Sequence, residues 1–140
     1  MSSAPYTGGC LCGQLRYVAT GEPDLMGHCY CSDCRKASGS GFIPFMGFPA
    51  SQVTITGHCA QHRTTSFRGS EAVRNYCPDC GGLVFGGQIG EANDHTIYAG
   101  SLDDASRFKP SVAIFVRDRV AWALIPEGLT EFDTLPTRKP

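Results

Sequence analysis

The sequence predicts a mainly β fold, a single domain built from many short strands. Three observations carry this. The chain has 140 residues and a mass of 15.0 kDa, the size of one hydrophobic core. Glycine (17) and proline (9) make up about a fifth of it, too much punctuation for long helices. Apolar and β-branched runs of a few residues recur between turn signals, with no composition break that would mark a second domain.

The elements follow in order. Residues 1–9 read as a flexible tail. Gly13–Thr20 reads as a strand with Leu15 and Tyr17 on one face, and Gly21–Asp24 as a turn. A short strand leads into Cys29. Ser32–Ser38 suits one or two helical turns ended by Gly39. Gly41–Phe48 is an apolar core strand, although Pro44 argues against a central, fully paired position. Val53–Thr56 is a β-branched strand stopped by Gly57. His62–Phe67 and Val73–Tyr76 form a hairpin turning through Arg68–Glu71. Leu83–Ile89, Thr96–Ala99, Val112–Val116 and Val120–Ile125 complete the strands, with Trp122 expected in the core. Ser101–Ala105 reads as a helix start with Ser101 as N-cap. Leu135–Pro140 reads as a frayed end.

Composition excludes several function classes. No apolar run approaches the ~20 residues that span a bilayer, and the first nine residues lack the basic start and apolar stretch of a secretory leader. With 12 Lys+Arg against 13 Asp+Glu the formal charge is −1, and the basic residues do not cluster with aromatics. Neither a nucleic acid nor a membrane is therefore an expected partner. The expected compartment is the cytoplasm.

Eight cysteines need a different account. Cytosolic thiols stay reduced, so such a count points to metal chemistry before disulfides. Seven of the eight fall in tight spacings: Cys10-Leu11-Cys12, Cys29-Tyr30-Cys31-Ser32-Asp33-Cys34 and Cys77-Pro78-Asp79-Cys80. Cysteines one residue apart project to opposite sides of an extended chain, which strains a disulfide. The C-x-x-C could serve redox chemistry, but no β-α-β pattern surrounds it. Zinc needs four soft ligands in a tetrahedron, and a C-x-x-C turn delivers two. The glycines that follow let backbone N–H groups donate to the sulfurs.

The spacing also partitions the set. Cys29, Cys31 and Cys34 lie within six residues and can converge on one ion. Cys10, Cys12, Cys77 and Cys80 remain as a complete four-thiolate set, closed and structural. Two Zn²⁺ per chain are expected. The three-cysteine set leaves a fourth position for water or a substrate thiolate, the pattern of a catalytic zinc, unless Cys59 or a histidine fills it. His28 and Asp33 lie next to these cysteines, as candidates for proton transfer or simply as a neighbour and a turn former. His58, His62 and His95 read as ordinary surface or hydrogen-bonded histidines.

Gly9-Cys10-Leu11-Cys12-Gly13, His28-Cys29-Tyr30-Cys31-Ser32-Asp33-Cys34-Arg35 and Tyr76-Cys77-Pro78-Asp79-Cys80-Gly81 together resemble the glutathione-dependent formaldehyde-activating enzyme family, which includes centromere protein V. Ala99–Asp104 and Arg119–Trp122 resemble its later segments, so the resemblance runs from about Gly8 to Leu129 of a domain spanning 1–140. It implies a complex β-coil shared with a zinc-binding chaperone of small GTPases. It implies a structural zinc on Cys10, Cys12, Cys77 and Cys80, and a catalytic zinc on Cys29, Cys31 and Cys34. The implied activity is that of a carbon–sulfur lyase, reversibly forming S-hydroxymethylglutathione from formaldehyde and glutathione. Arg35, Lys36, Arg68 and Arg74 are candidates for holding glutathione's carboxylates, against their ordinary reading as solvated surface charges. The competing expectation is a zinc-stabilised binding or interaction module without catalysis.

Overall fold

The computed structural model describes residues 4–66 and 69–137. It holds two sheets. The smaller has the order β1–β2–β5, from Tyr6–Gly9 (β1), Arg16–Ala19 (β2) and Val53–Thr56 (β5). The larger begins with Leu25–Cys29 (β3), Ile43–Pro49 (β4), Ala60–Thr65 (β6) and Glu71–Tyr76 (β7). Leu83–Gly86 (β8), Asp94–Tyr98 (β9), Val112–Ile114 (β10) and Thr130–Glu131 (β11) complete it. Its order is β11–β10–β3–β4–β9–β8–β7–β6, antiparallel except where β10 meets β3 and β11. The α-helix Ser32–Ser38 (α1) follows β3, and Gly39 ends it in the left-handed conformation. Among the described residues no helix is long and apolar enough to cross a membrane.

The small sheet packs on one face of the large one. Strand alternation sets the seam: Leu15, Tyr17 and Ala19 from around β2 meet Met46 and Phe48 of β4, Phe85 of β8 and Ile97 of β9, all buried. Each of the Leu, Met, Phe and Ile side chains removed from water here contributes about 1.5–3 kcal/mol before entropy is charged against it. Asn75 is fully buried at the bulge of β7 and fully bonded: its Nδ2 donates to the carbonyls of Phe85 and Gly87, and its Oδ1 accepts from Gln61.

Several expectations are corrected. The start of the chain is not a loose tail: Tyr6–Gly9 pairs with β2, because Tyr6 is buried against Phe48 with ring centroids 5.5 Å apart. β4 is central despite Pro44, whose position lies outside the β9 ladder; that ladder begins at Phe45↔Tyr98. Val112–Val116 is shorter than expected, because Phe115 takes a left-handed backbone (φ 54) and a single 3₁₀ turn, Val116–Asp118, follows. Val120–Ile125 is not a strand. Arg119 donates to the carbonyls of Val120, Ala121 and Ala123 and curls the segment. Trp122 is 69% exposed, not core. The cap of the Ser101 region is Asp104, which accepts from the Ser106 N–H above one 3₁₀ turn, Ala105–Arg107. The expected hairpin forms as β6 and β7, though Phe67 and Arg68 of its turn lie outside the described residues, as do residues 138–140 of the expected frayed end.

Candidate metal centres

The fold brings the seven closely spaced cysteines into two groups. Within each, the sulfurs lie within 4.8 Å of one another. The first group joins Cys10 and Cys12, from the β1–β2 turn, to Cys77 and Cys80, from the β7–β8 turn. Its Sγ–Sγ distances of 3.6 Å (Cys10–Cys12) and 3.7 Å (Cys12–Cys77) match the edge of a tetrahedron with metal–sulfur bonds of about 2.3 Å, roughly 3.8 Å. Gly13 and Gly81 take positive φ (85° and 76°), which lets both turns close. A Cβ on Gly82 would stand 3.4 Å from Cys80 Sγ and 3.2 Å from the Leu11 nitrogen, so the two turns meet at a residue without a side chain.

Donors surround this group. Gln14 Nε2 donates to Cys77 Sγ (3.0 Å) and to the His58 carbonyl (2.8 Å), while Gln14 Oε1 accepts from the His58 N–H. The Leu15 N–H donates to Cys10 Sγ (3.4 Å). Burial pushes the Cys10 and Cys77 thiols up, but these N–H groups and the neighbouring sulfurs outweigh it, and both come out lowered. Such donors are what a four-thiolate centre needs to carry its negative charge.

The second group, Cys29, Cys31 and Cys34, is local. Cys29 ends β3, Cys31 is the N-cap of α1, and Cys34 lies in its first turn. The Cys34 N–H donates to Cys31 Sγ (3.2 Å). The adjacent sulfurs of Cys29 and Cys34 hold the Cys31 thiol down, and the same contacts push Cys29 and Cys34 up. Phe115, in its left-handed conformation, packs with Cys29, Cys31, Ile114 and Phe132 behind the group. On the other side Cys29 and Cys34 line a cavity of about 600 Å³, a size that suits a small molecule. The three-sulfur donor set fits a soft metal ion, at the edge of this cavity.

The remaining candidates fall elsewhere. Cys59 packs against the main core beside Asn75 and belongs to neither group. His28 faces away from the trio, as strand alternation requires. Its ring stacks between Phe42 (4.1 Å) and Phe108 (5.9 Å). Tyr30 donates to the Leu124 carbonyl, so His28 Nδ1 is the donor in its 3.2 Å contact with the Tyr30 hydroxyl, and burial lowers the imidazole's pKa. Asp33 stands in the first turn of α1. His58 is exposed, 3.4 Å from Asp79, and His95 is buried with Nδ1 3.1 Å from the Gly86 carbonyl. Arg74 and Tyr98 line the cavity, whereas Arg35 and Lys36 do not, and Arg68 lies outside the described residues. Tyr98 had no motif around it to single it out; only the sheet register places it beside the trio.

Comparison with known proteins agrees with this picture. A structural-genomics target from Rhodobacter sphaeroides, known from its crystal structure, superposes with a TM-score of 0.51 at 16% identity, over 70% of this chain and 88% of its own. That likeness supports the fold. The profile described as glutathione-dependent formaldehyde-activating enzyme matches residues 5–118, which include all seven grouped cysteines. The chain belongs to the glutathione-dependent formaldehyde-activating enzyme family.

Proposed function

We propose that this protein is a zinc-dependent carbon–sulfur lyase acting on glutathione or another small-thiol adduct, in the family's reaction with formaldehyde. In this reading Cys10, Cys12, Cys77 and Cys80 hold a structural zinc, and Cys29, Cys31 and Cys34 hold a catalytic one. The whole chain acts as one domain, in the reducing cytoplasm. The observation that carries the reading is that Cys29 and Cys34 open onto the cavity.

Zinc at the trio would supply Lewis acidity that lowers the pKa of a substrate thiol. The chain supplies the rest. Three thiolates leave one position for the substrate sulfur. The cavity would hold the aldehyde against that sulfur, whose attack forms the C–S bond and opens the carbonyl; the thiol's proton, released to water as the thiolate forms, is balanced by the proton that the carbonyl oxygen takes up from water. Tyr98, pushed up to about 12 mainly by burial, keeps its hydroxyl proton at neutral pH and offers it as a hydrogen bond on this wall. The reverse direction breaks the same bond and returns the thiol.

The test is cobalt substitution. Two ions should bind per chain, and the spectrum of one should shift when glutathione is added. A single bound ion, or two spectra inert to glutathione, would return the protein to the reading of a zinc-stabilised interaction module.

A further inference from the structure

The wall of the cavity nearest the trio is apolar, and the sheet register shows why. Met46 and Ile97 face the small sheet, so strand alternation turns Phe45 and Tyr98 the other way, onto the cavity. Directly paired residues share that face. One row across the large sheet runs through Ile114 of β10, Cys29 of β3 and Ile43 of β4. The next row runs through Val112, Gly27, Phe45 and Tyr98, on β10, β3, β4 and β9. Gly27 shapes this second row. A Cβ there would stand 2.9 Å from Phe45 Cζ, so the phenylalanine ring leans over the glycine, beside Cys29. The row after that passes through Gly47, Thr96 and Gly86 to Arg74, and the charged side chains of these strands enter the lining only from there on.

The closed group is different. Its sulfurs sit among N–H donors, whereas Cys29 sits between two isoleucines with an aromatic pair in the adjoining row. Apolar surface that lines an open cavity is unfavourable in water, and a ligand that covers it is stabilised by the difference. Formaldehyde carries only hydrogens on its carbonyl carbon and covers almost none of this wall. Glutathione has one methylene beside its sulfur. Its amides come next, and amides laid on such a wall lose water without gaining partners. The group that matches the wall is an apolar substituent on the carbon that takes the sulfur.

We propose that the carbonyl partner at this site is an aldehyde with an apolar substituent, alkyl or aryl, taken in preference to formaldehyde. The substituent lies on Ile43, Phe45 and Ile114 while the carbonyl carbon meets the sulfur. The sulfur end of this statement rests on the function proposed above; the apolar end rests on the wall alone. The bonding changes stay those of a simple addition. The C–S bond forms, the carbonyl π bond opens, and the proton lost by the thiol is matched by the one gained at the carbonyl oxygen, with no oxidant or reductant.

The test uses thioethers of glutathione, whose S-alkyl group stands where the carbonyl carbon and its substituent stand in the adduct. They have no free thiol, so binding is read apart from turnover. Calorimetric titration of the metal-loaded full chain compares the S-methyl, S-ethyl, S-propyl and S-butyl compounds. Each added methylene should tighten binding about fourfold until the wall is covered. Phe45→Ala should flatten the series, and Arg74→Gln, in the row beyond the wall, should leave it unchanged. In turnover with glutathione, kcat/KM relative to the uncatalysed addition should be larger for butanal than for formaldehyde. The proposal is overturned if the S-butyl compound binds the native protein no better than the S-methyl compound, absence of binding by both included. That result needs no variant to fold, and it is what a wall that only keeps water off the sulfurs would give. A folded Phe45→Ala that keeps the full series, or turnover that favours formaldehyde, also overturns it. The cobalt spectra separate this inference from the reading beneath it. A flat series in a protein whose spectrum answers to glutathione removes the apolar partner and keeps the lyase. A steep series in a protein whose spectra ignore glutathione keeps the apolar wall as a binding surface, removes the lyase, and so overturns the aldehyde.

Discussion

The two cysteine groups set the same atom in opposite surroundings. The four-sulfur group is drawn from turns 65 residues apart, and side-chain and backbone donors brace it. The trio comes from six consecutive residues, is braced on one side by Phe115, and opens onto a cavity on the other. A centre that closes a long loop can hold a fold together, whereas one that closes almost no loop has little folding energy to give. Position along the chain, as much as ligand number, separates the structural candidate from the reactive one.

The largest effect should come from breaking the closed group. Structural zinc is worth about 10–16 kcal/mol in small peptides, which rivals the 5–15 kcal/mol total stability of a typical domain. Cys77→Ser is expected to leave the chain largely unfolded at 25 °C by circular dichroism. A cooperative melt close to the native one would deny the group its structural role. Cys31→Ser makes the opposite case. It should remain folded, bind one ion fewer per chain by elemental analysis, and lose thiol-dependent activity. If it unfolds as fully as Cys77→Ser, the contrast between the two groups collapses.

How much of this was legible in the sequence follows the same division. Spacing alone sorted seven cysteines into the groups that the fold brings together: the trio is local geometry, and the C-x-C and C-x-x-C left over make up a set of four. Most strands were readable for the same reason. What failed was set at long range. Tyr6–Gly9 is held by Phe48 and β2, partners that no local pattern announces. Val120–Ile125 has strand composition, but Arg119 collects its carbonyls and leaves Trp122 outside. Arg74 was one of four equal cations in the sequence; in the fold it lines the cavity, and Arg35 and Lys36 do not.

A smaller effect tests the bracing itself. Gln14 links Cys77 Sγ to both the carbonyl and the N–H of His58. Gln14→Leu removes three hydrogen bonds, one of them to a thiolate, and should cost about 2 kcal/mol in urea denaturation. The same variant should leave the affinity of the trio for its ion unchanged. A loss at the trio would mean that the two groups are not independent.

The smallest effect lies in the charges beside the closed group. Arg16 of β2 grips Asp103 through both carboxylate oxygens, one contact at 2.9 Å, and Thr7 of β1 adds a hydrogen bond. The Arg16 guanidinium first, and Thr7 second, hold the Asp103 carboxyl down at about 2, below the usual carboxylate value of about 3.9. The folded pKa is depressed, so the contribution is fully present above about pH 4 and is lost as the pH falls through about 2. Both side chains are substantially exposed (38% and 48%), so solvent screening reduces it to about 0.5–1 kcal/mol. The difference in urea midpoint between the native protein and Asp103→Asn should therefore be flat from pH 7 to 5 and shrink below 4. Acid release of metal acts on both proteins and largely cancels in that difference. A gap that stays constant down to pH 3 would show that Asp103 braces the β1–β2 edge by hydrogen bonding alone, without its charge.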